Sequence, residues 1–245
     1  MLFVSEVGAG RVVAGPDHTR AILEVGLSQG YSDAQLDNYR GTPRNRLPSR
    51  PPAGFSLRAR ASHDTPRGTL GFGFWNDPFT LSGGVLAAPS AAWFFYASPP
   101  ADMALAETVP GFGWKAATLN AGRWPGWLLA PAAAAAIALT RVPGLGQPVM
   151  RLARQYAHAH ETLLDDVALT DWHDYKMLWT GYEATFWVDG VVRLRAPAPP
   201  SGPLGFVLWI DNQYAIASRD GRFGFGLLPL DEPQWLEVDA LELDL

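Results

Sequence analysis

The chain has 245 residues, and 48% of them are hydrophobic, which is enough for one sizeable core. Its 19 Lys and Arg residues against 24 Asp and Glu residues give a formal net charge of −5, which argues against a nucleic-acid partner because it repels a phosphate backbone. The absence of cysteine excludes disulfides, thiolate nucleophiles and cysteine-ligated metal sites.

No segment of the sequence has the length and apolar character of a membrane span, and the N-terminus MLFVSEVGAG lacks the pattern of a signal peptide. We therefore expect a single domain in the cytoplasm, unless a signal peptide has been removed. Five histidines show no metal-ligand spacing, since His158 and His160, for example, are two residues apart on a predicted helix. We expect no metal and no cofactor, and the sequence indicates no particular oligomeric state.

Short β-strands separated by Gly and Pro turns predominate along the chain, as is typical of antiparallel all-β folds. The predicted strands of the first half are Ala21–Val25, Phe55–Ala61, Gly68–Asp77, Ala91–Ala97 and Gly113–Leu119. In Phe55–Ala61 apolar side chains alternate with polar ones, which predicts one buried and one solvated face. The polar, proline-rich segment from Gly41 to Pro52 is predicted to be a surface loop.

Two segments in the middle of the chain are predicted to be helical. Pro131–Leu139 begins with a proline suited to the first helical turn and continues through five alanines. In Pro148–Val167 apolar residues recur at helical spacing on one stripe. Together they predict a helical insertion over residues 131–167, which either covers one mouth of the sheets as a lid or packs on their side without a functional role.

The segment Asp171–Arg195 is predicted to form three strands joined by two turns. Asp189 and Gly190 tolerate the positive φ angles of a two-residue hairpin turn. Alternation places Phe186 and Val188 on one face of the sheet, and Thr185 and Trp187 on the other.

A weak internal repeat relates Leu70–Asp77 to Leu204–Asn212. Alternation assigns the apolar residues of both copies to the core, namely Leu70, Phe72, Phe74, Leu204, Phe206, Leu208 and Ile210. The opposite face then holds small residues followed by a tryptophan and a carboxylate, Trp75 with Asp77 and Trp209 with Asp211. This arrangement predicts a groove with a flat stacking wall and a hydrogen-bonding end, which suits a ring-shaped ligand such as a sugar.

The order of several short motifs resembles that of the family 16 glycoside hydrolases, in the concanavalin A-like lectin and glucanase superfamily. The motifs are Gly30-Tyr31-Ser32-Asp33-Ala34-Gln35-Leu36, Gly54–Arg60, Gly71-Phe72-Gly73-Phe74-Trp75, His173-Asp174-Tyr175 through Val188-Asp189-Gly190, and Trp235–Leu243. The resemblance covers most of the chain outside the helical insertion. It implies a jelly-roll β-sandwich of two antiparallel sheets with a concave ligand face.

The catalytic signature of that family, Glu-x-Asp-x-x-Glu or its shorter form, is absent where the resemblance places it. The sequence there is AAPSAAWFFYASPPADMAL, in which Asp102 is the only carboxylate. A retaining glycosidase needs two carboxyl groups that face each other across the scissile bond. The sequence therefore predicts that this hydrolytic machinery is missing.

The longer signature does occur in the last strand, as Glu237-Val238-Asp239-Ala240-Leu241-Glu242. If Leu236 and Val238 share a core with Leu241 and Leu243, a β-bulge near Ala240 is required. The bulge would put Glu237, Asp239 and Glu242 on one face. We interpret that face as a solvated polar surface, with a catalytic role as the alternative.

Two hypotheses about function remain. In the first, a non-hydrolytic relative of family 16 binds a carbohydrate or glycoconjugate, with Trp75 and Trp209 stacking on sugar rings. The residues expected to bond sugar hydroxyls are Asn76, Asp77, Asp211 and Asn212.

In the second hypothesis, an enzyme or binder acts on a hydrophobic small molecule, for example as a cyclase or isomerase of secondary metabolism. Its cleft would be made apolar by Trp93, Phe95 and Tyr96, and Asp77 or His160 would transfer any proton. A helix carrying His160 would close this cleft. An interaction domain with a flat aromatic patch is a third possibility.

Trp114 and Lys115 are further candidate ligand-binding residues, because a lysine beside aromatic side chains can bind an anion or act in catalysis. The alternative for Lys115 is an exposed side chain whose stem covers apolar surface. His160 has a similar alternative as a buried histidine bonded to a backbone carbonyl, and whether the protein catalyses a reaction stays open.

Overall fold

The computed structural model describes residues 1–15, 19–78, 87–104, 109–121 and 146–245. Two seven-stranded antiparallel sheets pack face to face as a β-sandwich of the jelly-roll type. We call them sheet 1 and sheet 2. The described part of the chain also contains a two-stranded hairpin, one α-helix and a 3₁₀ turn at Arg44–Arg46.

Sheet 1 has the strand order β1-β4-β13-β6-β7-β8-β9. Its strands, in that order, are Phe3–Val7, Asp33–Asp37, Gly205–Asp211, Thr69–Trp75, Ser90–Ala97, Gly113–Asn120 and His160–Leu163. Sheet 2 has the order β12-β11-β10-β5-β16-β3-β2. Its strands are Val191–Pro197, Glu183–Val188, His173–Trp179, Ala53–Ala61, Gln234–Asp244, Ala21–Val25 and Gly10–Ala14. The hairpin pairs β14 (Gln213–Ala217) with β15 (Phe223–Leu227).

The core lies between the two sheets and is filled by alternate side chains of both. Phe55 of sheet 2 packs edge to face against Phe72 and Phe206 of sheet 1, with ring centroids 5.9 and 5.5 Å apart. Trp179 is fully buried and donates from Nε1 to the Pro200 carbonyl oxygen. The predicted burial of Leu70, Phe72, Phe74, Leu204, Phe206, Leu208 and Ile210 is confirmed, because all of them belong to this core.

The hairpin predicted at Asp189 and Gly190 is confirmed. Val188 pairs with Val191 across the turn, and the φ angles of Asp189 and Gly190 are 51° and 75°. The side chain of Asp189 also closes the turn, since it contacts His173 Nδ1 at 2.6 Å and accepts from the Asp174 backbone N–H at 2.9 Å. His173 thus has a framework role at the start of β10.

The bulge predicted near Ala240 is also confirmed. The register between β16 and β5 shifts between Asp239 and Glu242, and Ala240 has a φ of 52°. Leu236, Val238 and Leu241 accordingly all lie in the core.

The helix predicted over Pro148–Val167 is wrong in its second half. The α-helix α1 spans Gly146–Tyr156, and His160–Leu163 forms β9, which pairs with β8 at the edge of sheet 1. His158 has a φ of 42°, a left-handed conformation that ends helices. Leu152 and Tyr156 are more than half exposed, so the predicted apolar stripe of the helix is not buried there. The predicted helix Pro131–Leu139 lies outside the described residues.

Candidate functional site

The outer face of sheet 1, which points away from the core, carries an aromatic cluster. Trp75, Trp93, Phe95 and Trp209 contact one another there, and we call these four side chains the aromatic platform. The rings of Trp75 and Trp209 are nearly parallel, with an interplanar angle of 5° and centroids 6.4 Å apart. The rings of Trp93 and Phe95 stack at 5.3 Å and 19°.

The two members of the internal repeat pair directly with each other, and this pairing builds the platform. Strands β6 and β13 run antiparallel, so Trp75 lies opposite Gly205 and Trp209 lies opposite Gly71. A side chain at Gly71 would lie 2.8 Å from Cη2 of Trp209, and one at Gly73 would lie 2.6 Å from Cβ of Trp93. The glycines of β6 therefore leave the space in which these tryptophans lie against the sheet.

The platform has a covered layer and a more accessible layer. Trp75 and Trp209 are each 8% exposed, whereas Trp93 and Phe95 are half-buried. Trp75 donates from Nε1 to the Tyr39 hydroxyl at 2.5 Å, and Trp209 donates from Nε1 to Thr69 Oγ1 at 2.9 Å. These bonds fix the orientation of the two covered rings, which leaves Trp93 and Phe95 as the rings best placed to meet a ligand.

Three aspartates on the same outer face form what we call the acidic corner: Asp33, Asp37 and Asp211. Asp33 and Asp37 are two of the three outward residues of β4, and Asp33 is the direct cross-strand partner of Asp211. Directly opposed side chains on antiparallel strands have Cβ atoms about 5 Å apart, so these two carboxyl groups are close neighbours. The sequence indicated Asp211 but not Asp33.

The hydrogen bonds of the acidic corner are distributed unevenly. Asp211 Oδ1 accepts from Thr69 Oγ1 at 2.8 Å, from the Gln213 backbone N–H at 3.0 Å and from the Thr69 backbone N–H at 3.3 Å. Asp37 accepts from the backbone N–H groups of Tyr39 and Arg40 and from the side chain of Gln35. The carboxyl group of Asp33 accepts no hydrogen bond from any residue within the described ranges.

Burial and like charges together oppose ionisation at this corner. Burial raises the pKa of Asp33 to about 8, and the neighbouring Asp211 and Asp37 carboxylates add to the shift. Burial likewise raises the pKa of Asp211 to about 6, although its hydrogen bonds with Gln213 and Thr69 act in the opposite direction. The pKa of the half-buried Tyr31 is raised by burial and by the negative charges of Asp33 and Asp211. The corner thus holds at least one proton near neutral pH.

Several predicted site residues lie elsewhere. Tyr96 and Trp114 point into the core between the sheets, because residues of β7 alternate and Trp93 and Phe95 occupy its outward positions. The prediction that Tyr96 and Trp114 line the ligand face is therefore wrong. His160 is paired with the buried Thr118, on the side of sheet 1 opposite the platform, so a role on a closing helix is also wrong.

The polar residues at the ends of the repeat have structural partners. Asn212 is fully buried, and its amide donates to the carbonyl oxygens of Gly30 and Leu228 while its Oδ1 accepts from the Ser32 backbone N–H. It has no donor left for a ligand, which contradicts the predicted binding role. Asn76 similarly joins β6 to β7 through the Ala88 carbonyl oxygen and the Ser90 backbone N–H.

Asp77 lies at the far end of β6 from the acidic corner. Because β6 and β13 are antiparallel, Asp211 pairs with Thr69 at the start of β6, whereas Asp77 follows Trp75 at its end. Its backbone carbonyl oxygen accepts from Arg44 Nη2 at 2.7 Å, and the residue is buried with a φ of 45°. Asn76 and Arg44 line a separate cavity of about 290 Å³ at this end of the sheet.

Lys115 lies on the outer face beside Phe95 but is only 3% exposed, so the alternative of an exposed side chain is wrong. Its Nζ donates to Glu161 at 3.1 Å and to the Pro110 carbonyl oxygen. Burial lowers the pKa of Lys115, and the Glu161 carboxylate partly offsets this by raising it. The ion pair therefore closes the side of the platform opposite the acidic corner.

The acidic motif of the last strand lies on the other sheet. Glu237, Asp239 and Glu242 face outward from sheet 2, as the bulge predicts. Glu237 accepts from Arg20 and from two nitrogens of Arg60 at 2.9–3.1 Å. Its carboxylate is neutralised by these arginines and is separated from the platform by the whole sandwich.

The described residues show no metal centre and no membrane-spanning helix. No group of three or more His, Cys, Asp or Glu side chains in the described ranges is arranged to hold a metal ion. None of the helices in that part of the chain is long and apolar enough to cross a membrane.

Comparison with known proteins identifies the fold but not a family. No protein-family model matches the sequence, and neither does any curated protein. The structure is similar to the GlcNAcα1-4Gal releasing endo-β-galactosidase from Clostridium perfringens, with a TM-score of 0.54, 12% identity, and coverage of 96% of this chain and 53% of that chain. The chain therefore spans about half the length of that enzyme.

Two further structures match with lower scores. A putative β-glucanase from Mycobacterium abscessus has a TM-score of 0.48 and 12% identity over 91% of this chain and 75% of its own. A laminarinase from Flavobacterium sp. UMI-01 has a TM-score of 0.43 and 11% identity over 92% of this chain and 79% of its own. At 12% identity the similarity to the endo-β-galactosidase shows the fold alone, so function must be argued from the site.

Proposed function

We propose that this protein binds a carbohydrate on the outer face of sheet 1, with sugar rings stacked on Trp93 and Phe95. The observation that carries the proposal is this half-buried, stacked pair, which lies outside the core and is supported from below by Trp75 and Trp209. Aromatic rings have an apolar face that matches the C–H groups of a sugar ring. The structural neighbour named as an endo-β-galactosidase acts on a glycan, which supports the same ligand class for this fold.

Polar groups for the hydroxyls of such a ligand are available at the acidic corner. Asp211 and Trp209 are two residues apart on β13 and point to the same side of the sheet. Their spacing is roughly 7 Å at the usual rise of a strand, which is comparable with the width of one sugar ring. A ligand of two or more rings that stacks on Trp93 and Phe95 can therefore extend across Trp209 to the Asp211 carboxyl group.

We further propose that binding proceeds without hydrolysis of the kind found in family 16. The outward positions of β7 are Ala91, Trp93, Phe95 and Ala97, and none of them has a carboxyl group. This is the strand where the resemblance expects the catalytic carboxylates. Its aromatic residues can bind a sugar but cannot attack it or protonate a leaving group.

The test is a titration of the protein with a panel of neutral oligosaccharides, followed by intrinsic tryptophan fluorescence and isothermal titration calorimetry. We expect saturable binding that falls at least fivefold in Trp93→Ala, because stacking on an aromatic ring contributes about 1–3 kcal/mol in comparable sites. The matched control is Trp187→Ala, which removes an equally half-buried tryptophan from the outer face of sheet 2. Equal losses in the two variants would contradict the proposed location, and release of shorter sugars would contradict a non-hydrolytic role.

A hydrophobic small molecule is the second candidate, and the apolar outward side chains of β7 favour it. Titration with apolar metabolites under the same conditions separates the two ligand classes. Saturable quenching by apolar compounds, with none by any oligosaccharide, would replace the first proposal by the second.

A further inference from the structure

Asp33 differs from the other two carboxyl groups of the acidic corner because no described residue donates a hydrogen bond to it. It is 5% exposed, and no residue in the described part of the chain donates a hydrogen bond to it, whereas Asp37 and Asp211 each accept several. The carboxyl oxygens of Asp33 are not fully enclosed, so solvent or a ligand can reach them and supply the missing hydrogen bond. Its position opposite Asp211 directs it toward the outer face, beside the platform.

The charged neighbours of Asp33 make a cation the ligand group that fits best. Asp211 and Asp37 repel the ionised form of Asp33. The negative charges of Asp33 and Asp211 also act on the nearby side chain of Tyr31. A ligand cation at this point would be attracted by the carboxylates and by the faces of nearby aromatic rings. An anionic group would meet repulsion from the same residues.

The residues of the acidic corner distinguish between a metal ion and an ammonium group as the cation. A divalent metal needs several oxygen ligands, and no group of three or more acidic or histidine side chains within the described ranges is placed to hold one. An ammonium group has three N–H donors and can be satisfied by two carboxylates and one further acceptor. Asp33 and Asp211 supply the two carboxylates.

We propose that the acidic corner binds the ammonium group of an amino sugar whose ring lies on the aromatic platform. The inference rests on the proposed carbohydrate-binding function and names its ligand class. Asp33 donates its proton to solvent when the ammonium group binds, so that the bound state contains two ionised carboxylates facing one cation. The titratable groups that face Asp33 are Tyr31, Asp37 and Asp211.

The test compares a glucosamine pentamer with its N-acetylated counterpart by isothermal titration calorimetry near pH 5.5, where the amines are mostly protonated. We expect the glucosamine pentamer to bind at least tenfold more tightly. Asp33→Asn should reduce this preference to about twofold or less, chiefly by weakening the binding of the glucosamine pentamer. Asp231→Asn, which neutralises an exposed carboxylate, is the matched control and should keep the full preference.

A second readout does not depend on any variant. Repeating the titration of the wild-type protein in buffers with different ionisation enthalpies measures the protons released on binding. We expect a net release of between one and two protons per glucosamine pentamer bound, because Asp33 and most of Asp211 carry a proton in the free protein near pH 5.5, and much less for the N-acetylated pentamer. This measurement remains decisive if Asp33→Asn fails to fold.

The outcomes separate the two proposals. Equal or tighter binding of the N-acetylated pentamer, or no proton release with the glucosamine pentamer, overturns the ammonium site and leaves the platform proposal standing. Binding of neither pentamer, together with failure of the neutral panel, overturns both.

Discussion

Asp33 is a carboxyl group that the folded protein keeps protonated at neutral pH, and this has a consequence for stability. Burial, Asp211 and Asp37 raise its pKa from 3.8 to about 8. Between these two values the unfolded chain has lost the proton while the folded protein retains it. The free energy of unfolding therefore falls as pH rises from about 4 to about 8, by up to about 1.4 kcal/mol per pH unit.

Asp33→Asn should remove this dependence. An amide at position 33 has no charge to lose, and it can donate to Asp211 on the opposite strand. Urea unfolding at several pH values from 5 to 8 should show that the wild-type protein loses stability relative to the variant as pH rises. Asp231→Asn should follow the wild type, and parallel curves for the wild type and Asp33→Asn would contradict the raised pKa.

Gly71 is a second residue at which one added carbon atom would change the packing of its neighbours. A methyl group there would collide with the Phe94 carbonyl oxygen and come within 2.8 Å of Trp209. We expect Gly71→Ala to lower the free energy of unfolding by roughly 1–3 kcal/mol and to displace the Trp209 ring, because overpacking forces neighbouring groups to move.

Fluorescence-detected urea unfolding measures both effects of Gly71→Ala. Gly181→Ala is the matched control, because a side chain at Gly181 would meet no atom within 4 Å. A stability loss of the same size in both variants would show that contact with Trp209 is not the cause.

At the scale of single elements, the bulge in β16 contains an alanine in a conformation that suits glycine. Ala240 has a φ of 52°, at the point where the register with β5 shifts. The left-handed region costs an L-residue roughly 1–2 kcal/mol, and this exceeds the entropy cost of glycine, about 0.5–1 kcal/mol. Ala240→Gly should therefore raise the free energy of unfolding by about 0.5–1 kcal/mol.

The control for Ala240→Gly is the same substitution at Ala14 in β2, where φ is not positive. Glycine should destabilise the protein at Ala14. Denaturant midpoints that fall in both variants would show that the bulge stores no strain at Ala240.

Alternation predicted which face each strand buries, because a strand with one buried face must place apolar residues at every second position. It therefore located Trp75, Trp209 and Asp211 on the outer face and required the bulge at Ala240. The same rule, applied strictly to β7, separates Tyr96 from Trp93 and Phe95. The prediction that all three line one cleft is therefore inconsistent with strand alternation.

Pairing between distant strands could not be predicted in the same way. The internal repeat aligned Asp77 with Asp211 in sequence, but antiparallel pairing of β6 with β13 placed them at opposite ends. Asp33 became part of the site only because β4 lies beside β13, although the two are far apart in the chain. The alternation of Asp33, Gln35 and Asp37 with apolar residues indicates that β4 has a polar face. It does not indicate which strand lies beside that face.

Helical periodicity failed in Pro148–Val167 for a related reason. Leu163 and Val167 satisfy a stripe at helical spacing, yet β8 offered an unpaired edge to His160–Leu163. Backbone pairing with that edge, after the helix ends near His158, replaces the last turns of the predicted helix. Tertiary context commonly overrides a weak local preference in this way.

At the scale of the whole molecule, the two outer faces of the sandwich have different chemistry. Sheet 2 presents arginines over tryptophans, with Arg60 4.9 Å from the centre of the Trp172 ring and 5.4 Å from that of Trp235. Its carboxylate Glu237 is already paired with Arg20 and Arg60. Sheet 1 instead presents the aromatic platform and an acidic corner whose Asp33 accepts no hydrogen bond from a described residue, so it is the face with binding capacity left.

The net charge of −5 makes a final test possible, because any cationic oligosaccharide is attracted to the molecule as a whole. Attraction to exposed charges is screened over about 10 Å at 0.1 M salt, whereas buried charges are screened much less. Raising NaCl from about 0.1 to 0.5 M should therefore weaken binding of a glucosamine oligomer to the wild type and to Asp33→Asn by a similar factor. The ratio of their dissociation constants should stay nearly constant, because Asp33 acts at short range in a buried position. If calorimetry shows that the ratio falls to one at high salt, the preference for the amino sugar comes from surface charge and not from the acidic corner.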